Sequence, residues 1–351
     1  MTNTTKKIKV LDLFSGCGGL SYGFESVGFQ IIAGIDNWTD ALKTFQNNHK
    51  DAKVLNIDLG NPNIIEIKKE IGSVDVVVGG PPCQGFSISG NRDLNDPRNK
   101  LYKGFVEIVK GFSPKVFVLE NVPNLVSMGH GKIKDEIIKD FEKLGYEVKY
   151  KVLLASDYGV PQNRRRVIFV GVKGKNSFNF PEPIFSDGKE KITSSDAISD
   201  LPDKDLEDGF SLKQKPLTSY QKKMRTKNSE IYNHTLTAHD KKTIEIISLV
   251  PDGGNYKDLP KEHINSRKVN IAWTRFNSKK PSSTIDTGHR HHFHYKYNRV
   301  PTVRESARLQ SFPDSFIFLG SKTSQYKQVG NAVPPLLSEA IGKEILKLFI
   351  K

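Results

Sequence analysis

The chain has 351 residues, 36% hydrophobic and 26% charged, with a formal net charge of +14 and a pI near 9.5. That length suggests two domains, or one large domain with an insertion, and the apolar fraction excludes a wholly disordered chain. Only two cysteines occur, Cys17 and Cys83, which excludes a disulfide framework and a four-cysteine zinc site, and no apolar run is long enough to span a bilayer.

The opening residues, MTNTTKKIKVLDLFSG, hold no apolar signal region, so a reduced cytoplasm is expected. Ile8 to Phe14 reads as a strand, followed by a glycine loop and a helix through about Val27. Phe29 to Ile35 is a second strand, with a helix from about Thr39, and Lys53 to Ile57 is a weaker third strand. Val74 to Val78 and Lys115 to Leu119 are further strands, and Ile133 to Leu144 is helical. Glu147 to Leu154 and Arg165 to Val172 complete the set. Strands alternating with helices predict an α/β fold with a doubly wound, mostly parallel sheet, whose sites lie at the strand C-terminal ends.

After about Lys175 the rhythm breaks. Residues 176–230 are rich in Pro, Ser, Asp and Lys. Short strand-like pieces follow at Pro281 to Thr287 and Phe293 to Val300, and Ala332 to Ile350 reads as one amphipathic helix. The expected domains are 1–175, completed by 328–351, and a smaller irregular domain over 176–327.

Charge is uneven. Glu182 to Asp208 holds nine Asp/Glu against three Lys/Arg, whereas Gly209 to Lys327 holds 22 Lys/Arg against nine Asp/Glu. Such a surplus reads either as a solvated surface or as a nucleic-acid face; interleaved Trp273, Phe276, His289, His291, His292, Phe293, His294, Tyr295 and Tyr297 favour the second.

Chemistry-bearing residues gather at the expected strand ends. The loop Phe14-Ser15-Gly16-Cys17-Gly18-Gly19 lets the backbone approach a ligand, though it is neither a dinucleotide fingerprint nor a Walker A loop. Asp36 and Asp58 follow the next two strands, which suits a nucleoside-type ligand or ordinary turn chemistry. Cys83 sits in Gly79-Gly80-Pro81-Pro82-Cys83-Gln84-Gly85-Phe86-Ser87, where a fixed turn suits a nucleophile better than a packing cysteine. Glu120-Asn121-Val122 puts an acid at the end of an apolar strand, either structural or catalytic. In Gln162-Asn163-Arg164-Arg165-Arg166, an extended backbone would point Arg164 and Arg166 to one face. The run is a solvated basic turn or a pair of anion- and base-binding guanidiniums.

Together these motifs resemble the DNA cytosine-5 methyltransferases, in particular the bacterial restriction-modification type. The matching segments are DLFSGCGGL (12–20), GGPPCQGFS (79–87), ENV (120–122), QNRRR (162–166), RESARLQSFPDSF (304–316) and QVGNAVPP (328–335). They cover roughly the first half and the final fifth of the chain.

The resemblance implies a fold of the S-adenosylmethionine-dependent methyltransferase type, with residues 176–327 as the target-recognition domain. It implies attack of the Cys83 thiolate on C6 of a cytosine flipped from duplex DNA. Glu120, carrying or sharing a proton, would bond N3, and Arg166, with Arg164, would hold O2. C5 would then take the methyl group of S-adenosylmethionine, leaving S-adenosylhomocysteine; no metal is implied. For the cofactor, Phe14 would meet the adenine edge, Leu101 would pack on the adenine, Asp58 would take its amino group, and the loop Ser15 to Gly19 would take the methionine end. Asp36 would hold the ribose, at a position where the family more often has Glu. Ser15, Gly16, Gly18, Gly19 and Pro82 would line the site, and Asn331 would approach the methionine portion from the last helix. Toward DNA, Gln84, Ser87 and Ser89 would be contacts, and Ser89 and its neighbours, up to about Asp96, would form the mobile loop that closes over the flipped base. Thr284, in Pro281-Ser282-Ser283-Thr284-Ile285, would touch the backbone near the flipped nucleotide. Arg290 is the candidate base reader, since Arg pairs bidentately with guanine. The expected partners are double-stranded DNA and, without physical contact, a cognate restriction endonuclease; the expected state is a monomer.

Three rivals are weighed. A tRNA cytosine-5 methyltransferase has a shorter recognition region than Val167 to Lys327. A non-catalytic repressor on the same fold would lose Cys83 or Glu120. A nicotinamide dehydrogenase would lack the Pro-Pro-Cys-Gln block.

Overall fold

The computed structural model describes residues 7–82, 100–175, 177–185, 190–264, 273–288 and 291–350. The chain forms two compact units. One comprises Met1–Leu154, Arg165–Glu182 and Leu337–Lys351; the other comprises Ala155–Arg164 and Pro183–Leu336.

The first unit opens with β1 (Lys9–Leu13), α1 (Gly19–Ser26), β2 (Gln30–Asp36), α2 (Thr39–Asn48) and β3 (Lys53–Asn56). It continues through α3 (Ile64–Ile71), β4 (Val76–Gly79), α4 (Lys100–Phe112) and β5 (Val116–Asn121). α5 (Lys132–Glu142), β6 (Tyr146–Leu154) and β7 (Arg165–Lys173) follow. The seven strands form one sheet in the order β3-β2-β1-β4-β5-β7-β6. Central strands are apolar throughout because both faces are covered: Val76, Val77, Val78, Val116, Phe117 and Val118 are fully buried.

β1 to β5 pair in parallel, whereas β7 runs antiparallel to both β5 and β6. Strand order reverses between β1 and β4, which opens a crevice at the C-terminal edge of the parallel strands. Helices α3 and α4 were not anticipated from the sequence. Gly104 lets α4 lie against the turn after β3: a Cβ there would fall 1.6 Å from the Leu59 carbonyl oxygen.

The second unit is built from short elements. α6 (Ser194–Ile198), β8 (Phe210–Ser211), α7 (Ser219–Met224), β9 (Glu230–Ile231), α8 (Lys241–Ser248) and α9 (Lys261–Ile264) come first. β10 (Thr274–Arg275), β11 (His292–Phe293), α10 (Val303–Leu309) and α11 (Lys322–Asn331) follow. β8 and β9 pair antiparallel, and β10 and β11 parallel. Ile246, Ile247, Val250, Leu259, Trp273, Phe293 and Val300 form one apolar cluster.

Buried ion pairs supply much of the rest. Arg308 is fully buried between Asp200 and Asp314, each at 2.7 Å. Thr302 and Glu305 form a capping box at the start of α10, legible in the sequence as Thr-x-x-Glu. Glu305 also takes both terminal nitrogens of Arg299, at 2.8 and 2.9 Å.

Three expected elements differ. Of Phe293 to Val300 only Phe293 is in a strand, β11, and residues 295–299 form bends. Pro281 to Thr287 forms no strand; Ser282 makes a single bridge to Gln162, because the backbone hydrogen bonds of this stretch go to the loop Pro161–Asn163. The final segment is not one helix. Its chain turns extended at Ala332, and α12 (Pro335–Leu346) starts anew after Pro334. Proline lacks the N–H that would continue α11, and it disfavours helical backbone in the residue before it. From Leu337, α12 belongs to the first unit, where Gly342 lies against Phe24 and Val27 around α1.

Gly104→Ala is expected to lower stability by about 1–3 kcal/mol, as overpacking against a backbone oxygen does. Urea denaturation checks this, and an unchanged midpoint would mean that α4 can withdraw from the Leu59 turn at no cost.

Candidate active site

The glycine loop leaves β1 in unusual backbone. Phe14 has φ +54°, rare for a non-glycine residue, and Gly16 and Gly18 have φ +52° and +95°. Ser15 N–H donates to the Ile35 carbonyl at 3.1 Å, and Gly18 N–H closes the turn on the Ser15 carbonyl at 2.9 Å. Gly18 is needed sterically as well, since a Cβ would come within 2.4 Å of His49 Nε2. Gly19 starts α1.

Asp36 ends β2 and holds this loop. Its Oδ2 accepts from Gly16 N–H at 2.8 Å, and its Oδ1 accepts from the N–H groups of Asn37 and Trp38. Asp58 is exposed in the turn after β3 and accepts from Gly60 N–H at 2.9 Å. Half-buried Leu101 lies in the first turn of α4, and Gly60 and Lys100 adjoin across the approach that Gly104 permits. Phe14, Ser15, Gly16, Gly18, Gly19, Asp36, Asp58, Leu101 and exposed Pro82 thus follow the ends of β1 to β4 or flank them.

Among the described residues, Ser15 Oγ is buried without a hydrogen-bond partner, and none lies within 4 Å of where a Gly16 Cβ would stand. Cys17 is buried, and burial pushes its thiol up to about 12, so it is an inert filler.

The next strand ends supply charge. Arg166 Nε meets Glu120 Oε1 at 2.7 Å, with both side chains mostly buried. This contact depends on β7 running antiparallel, which starts β7 at the edge where β5 stops. Glu120 Oε2 faces Gly80, where an added Cβ would stand only 2.8 Å away. Asn121 Nδ2 donates to the Pro81 carbonyl at 2.8 Å and so fastens the segment after β4 to the end of β5. Sequence reasoning missed this role of Asn121, although the Glu-Asn-Val block contained its signal.

Arg164 does not join Arg166. It is fully buried in the second unit and gives Nη2 to the Gly330 carbonyl at 2.8 Å. The alternation expected of an extended strand does not apply, because β7 starts only at Arg165.

Thr284 is exposed, and its Oγ1 donates to the Asn163 carbonyl at 3.2 Å. Asn331 is exposed at the end of α11, and not on the last helix as expected. Cys83, Gln84, Ser87, Ser89 and Arg290 lie outside the described residues. Among the described residues, no group of three or more His, Cys, Asp or Glu could hold a metal ion, and no helix is long and apolar enough to cross a membrane.

Asp12 is a further ionisable group behind the loop. Its Oδ2 accepts from Ser21 Oγ at 2.7 Å. Burial, resisted by that hydrogen bond and reinforced by the charge of Asp36, pushes its carboxyl up to about 7.

Comparison with known proteins matches residues 8–347 to the family described as C-5 cytosine-specific DNA methylase. The type II methyltransferase M1.HphI of Haemophilus parahaemolyticus is 42% identical over 344 residues, spanning 96% of this chain and 86% of that protein. The type II methyltransferase M.DdeI of Desulfomicrobium norvegicum is 37% identical over 368 residues, spanning 96% and 88%. A crystal structure described as a prophage-encoded DNA modification methyltransferase (E. coli) superposes with a TM-score of 0.81 at 28% identity, covering 98% of this chain and 100% of that one.

The Asp12 environment gives a test. Between its unfolded value of 3.8 and about 7, the folded protein keeps a proton that the unfolded chain has lost. Stability from this group therefore falls as pH rises through that window. Asp12→Asn should remove the slope, so the variant should gain roughly 2–3 kcal/mol on wild type between about pH 5 and about pH 8. Urea unfolding across that range checks this; a difference independent of pH would remove Asp12 as the titrating group.

Proposed function

Because the chain belongs to the C-5 cytosine-specific DNA methylase family, we propose that it methylates C5 of a cytosine flipped out of duplex DNA, through a covalent bond from Cys83 to C6. One observation carries the reading: the Arg166 guanidinium fixes Glu120 with its second oxygen toward Gly80, in the stretch that runs into Pro81, Pro82 and Cys83.

Cytosine C5 is a poor nucleophile, and its ring atoms are stacked inside the duplex, so the base must leave the helix before any group can reach C6. The Cys83 thiolate then adds at C6, and the ring's electrons pass toward N3 and C5. Glu120 holds a proton at N3 and offsets the charge that develops there. Arg166, oriented by its bond to Glu120, stabilises the O2 side of the ring. Once C5 carries the methyl group, loss of its proton and departure of the cysteine as thiolate restore the aromatic ring. Asn121, through its bond to the Pro81 carbonyl, holds the segment that precedes Cys83 in the chain and is a candidate positioning residue.

S-adenosylmethionine supplies the methyl group. The residues present fit it: an orphaned Ser15 hydroxyl, open space at Gly16, and carboxylates at Asp36 and Asp58 suited to ribose hydroxyls and an exocyclic amine. Phe14 and Leu101 offer apolar faces for the adenine, and Gly18, Gly19 and Pro82 bound the loop. Asn331 is a candidate contact for the methionine portion. Gln84, Ser87, Ser89, Thr284 and Arg290 are candidate DNA contacts, in an enzyme that would act as the protective half of a restriction-modification system. Arg164 is withdrawn from the catalytic set, since its guanidinium is bound to the Gly330 carbonyl.

Bisulfite sequencing of DNA from cells expressing the protein should reveal one methylated cytosine within a fixed sequence. Conversion of every cytosine would overturn the reading, and methylation confined to tRNA would favour the RNA rival. Cys83→Ser should lower the rate by more than about a thousandfold, with S-adenosylhomocysteine binding kept. Duplex carrying 5-fluorocytosine should trap wild type covalently, because fluorine blocks the elimination. Retained activity in Cys83→Ser would mean another nucleophile.

Asp36→Ala is expected to weaken S-adenosylhomocysteine by about tenfold or more, with duplex affinity little changed. Calorimetry on each ligand checks this, and equal losses of both would mean that Asp36 holds the fold and not the cofactor.

A further inference from the structure

His49 follows α2, and its side chain is fully buried against the glycine loop. Its Nε2 stands 3.2 Å from the Gly18 carbonyl oxygen, and its Nδ1 stands 2.8 Å from Glu25 Oε2. A carbonyl can only accept, so Nε2 is the donor of the first contact; a carboxylate likewise accepts from Nδ1. Aromatic neighbours hold the ring in place. Its centroid lies 4.5 Å from that of Phe45, and Tyr22 meets it edge-on at 6.3 Å. Gly18 leaves room for this approach, since any Cβ there would overlap the imidazole.

The Gly18 carbonyl is where the loop becomes helix. It accepts the Tyr22 N–H at 2.8 Å, the bond that opens α1, and His49 adds a second donor to the same oxygen. Gly18 N–H is committed to the Ser15 carbonyl. Nearer β1, Asp36 holds Gly16 N–H. Asp36 ends β2 and His49 follows α2, so one strand-helix segment fastens the loop at both Gly16 and Gly18. These bonds set the turn that carries the buried Ser15 hydroxyl and the open Gly16 position. Glu25 lies about two turns further along α1, and its contact with Nδ1 orients the ring.

We propose that His49 is a positioning residue for the cofactor: its Nε2–H sets the Gly18 carbonyl, and with it the turn Ser15 to Gly18 that receives S-adenosylmethionine. The inference rests on the proposed cofactor role of that loop. His49 acts only through Gly18. Its two bonds differ in what they do. Both tie α1 to the end of α2 and so stabilise the fold, but the Gly18 bond alone shapes the loop.

Amide side chains separate the two bonds. A glutamine amide nitrogen reaches as far as Nε2, and an asparagine amide nitrogen as far as Nδ1. His49→Gln therefore keeps a donor for Gly18 and loses the Glu25 bond, and His49→Asn does the reverse. S-adenosylhomocysteine is titrated calorimetrically into the full chain, and thermal unfolding is followed on the same preparations. His49→Asn should weaken the cofactor product by about tenfold, and His49→Gln by about twofold or less. Both should lose comparable thermal stability, since each forfeits one of two bonds. Glu25→Ala, at a half-exposed side chain, should free the ring and weaken the product by about threefold, and Glu25→Gln should restore it.

Equal affinities in folded His49→Asn and His49→Gln overturn the assignment, because a residue that only ties α1 to α2 would lower both alike. If His49→Asn does not fold, the Glu25 pair carries the test, and wild-type affinity in Glu25→Ala overturns it. A wild type that fails to bind S-adenosylhomocysteine would instead remove the cofactor role of the loop, and the inference with it.

Discussion

The reversed direction of β7 is the constraint on which the candidate chemistry depends. Five parallel strands deliver their C-terminal ends to one edge of the sheet, and an antiparallel strand begins at that edge. The first residues of β7 therefore stand beside the last residues of β5, and Arg166 meets Glu120. A parallel β7 would carry Arg166 to the opposite edge. A mostly buried ion pair contributes little net stability, because desolvation offsets the attraction. Its value here lies in geometry: it fixes which carboxylate oxygen faces Gly80.

The second unit solves a different problem. Its strands are two residues long, so sheet pairing cannot organise it. Guanidiniums do much of that work. Arg308 spans Asp200 and Asp314, Arg299 spans Asp203 and Glu305, and Arg304 donates to the carbonyls of Tyr232, Pro313 and Phe316. Burial opposes the ionised form of Glu305, yet His294, Arg299 and His234 hold its carboxyl down to about 2. The planar fork of Arg suits such sites better than Lys would.

This changes the meaning of the charge surplus between Gly209 and Lys327. Arg225, Arg275, Arg299, Arg304 and Arg308 are counted in it, and all are engaged inside the protein. The surplus that can meet a phosphate backbone rests mainly on the lysines. The motif RESARLQSFPDSF, matched as a family feature, is in this chain a packing motif: Arg304, Glu305, Arg308, Gln310 and Asp314 are all buried.

The sequence by itself determined what short-range physics controls. The glycine loop, the apolar strands, the Thr302–Glu305 capping box and the Glu-Asn-Val block are each set by neighbours within a few residues, and composition and spacing reveal them. The proline pair that ends α11 was equally local, and the even apolar pattern across Ala332 to Ile350 masked it. Tertiary structure alone decided which of two nearby arginines meets Glu120. Arg164 and Arg166 differ in no intrinsic property; one finds a carbonyl 166 residues away, and the other finds the carboxylate at the end of β5. The direction of β7 and the pairing of Gln162 with Gln310, 148 residues apart, have the same origin. Contacts between distant segments form only once the whole chain has paid the entropy of bringing them together, so no window of sequence holds them.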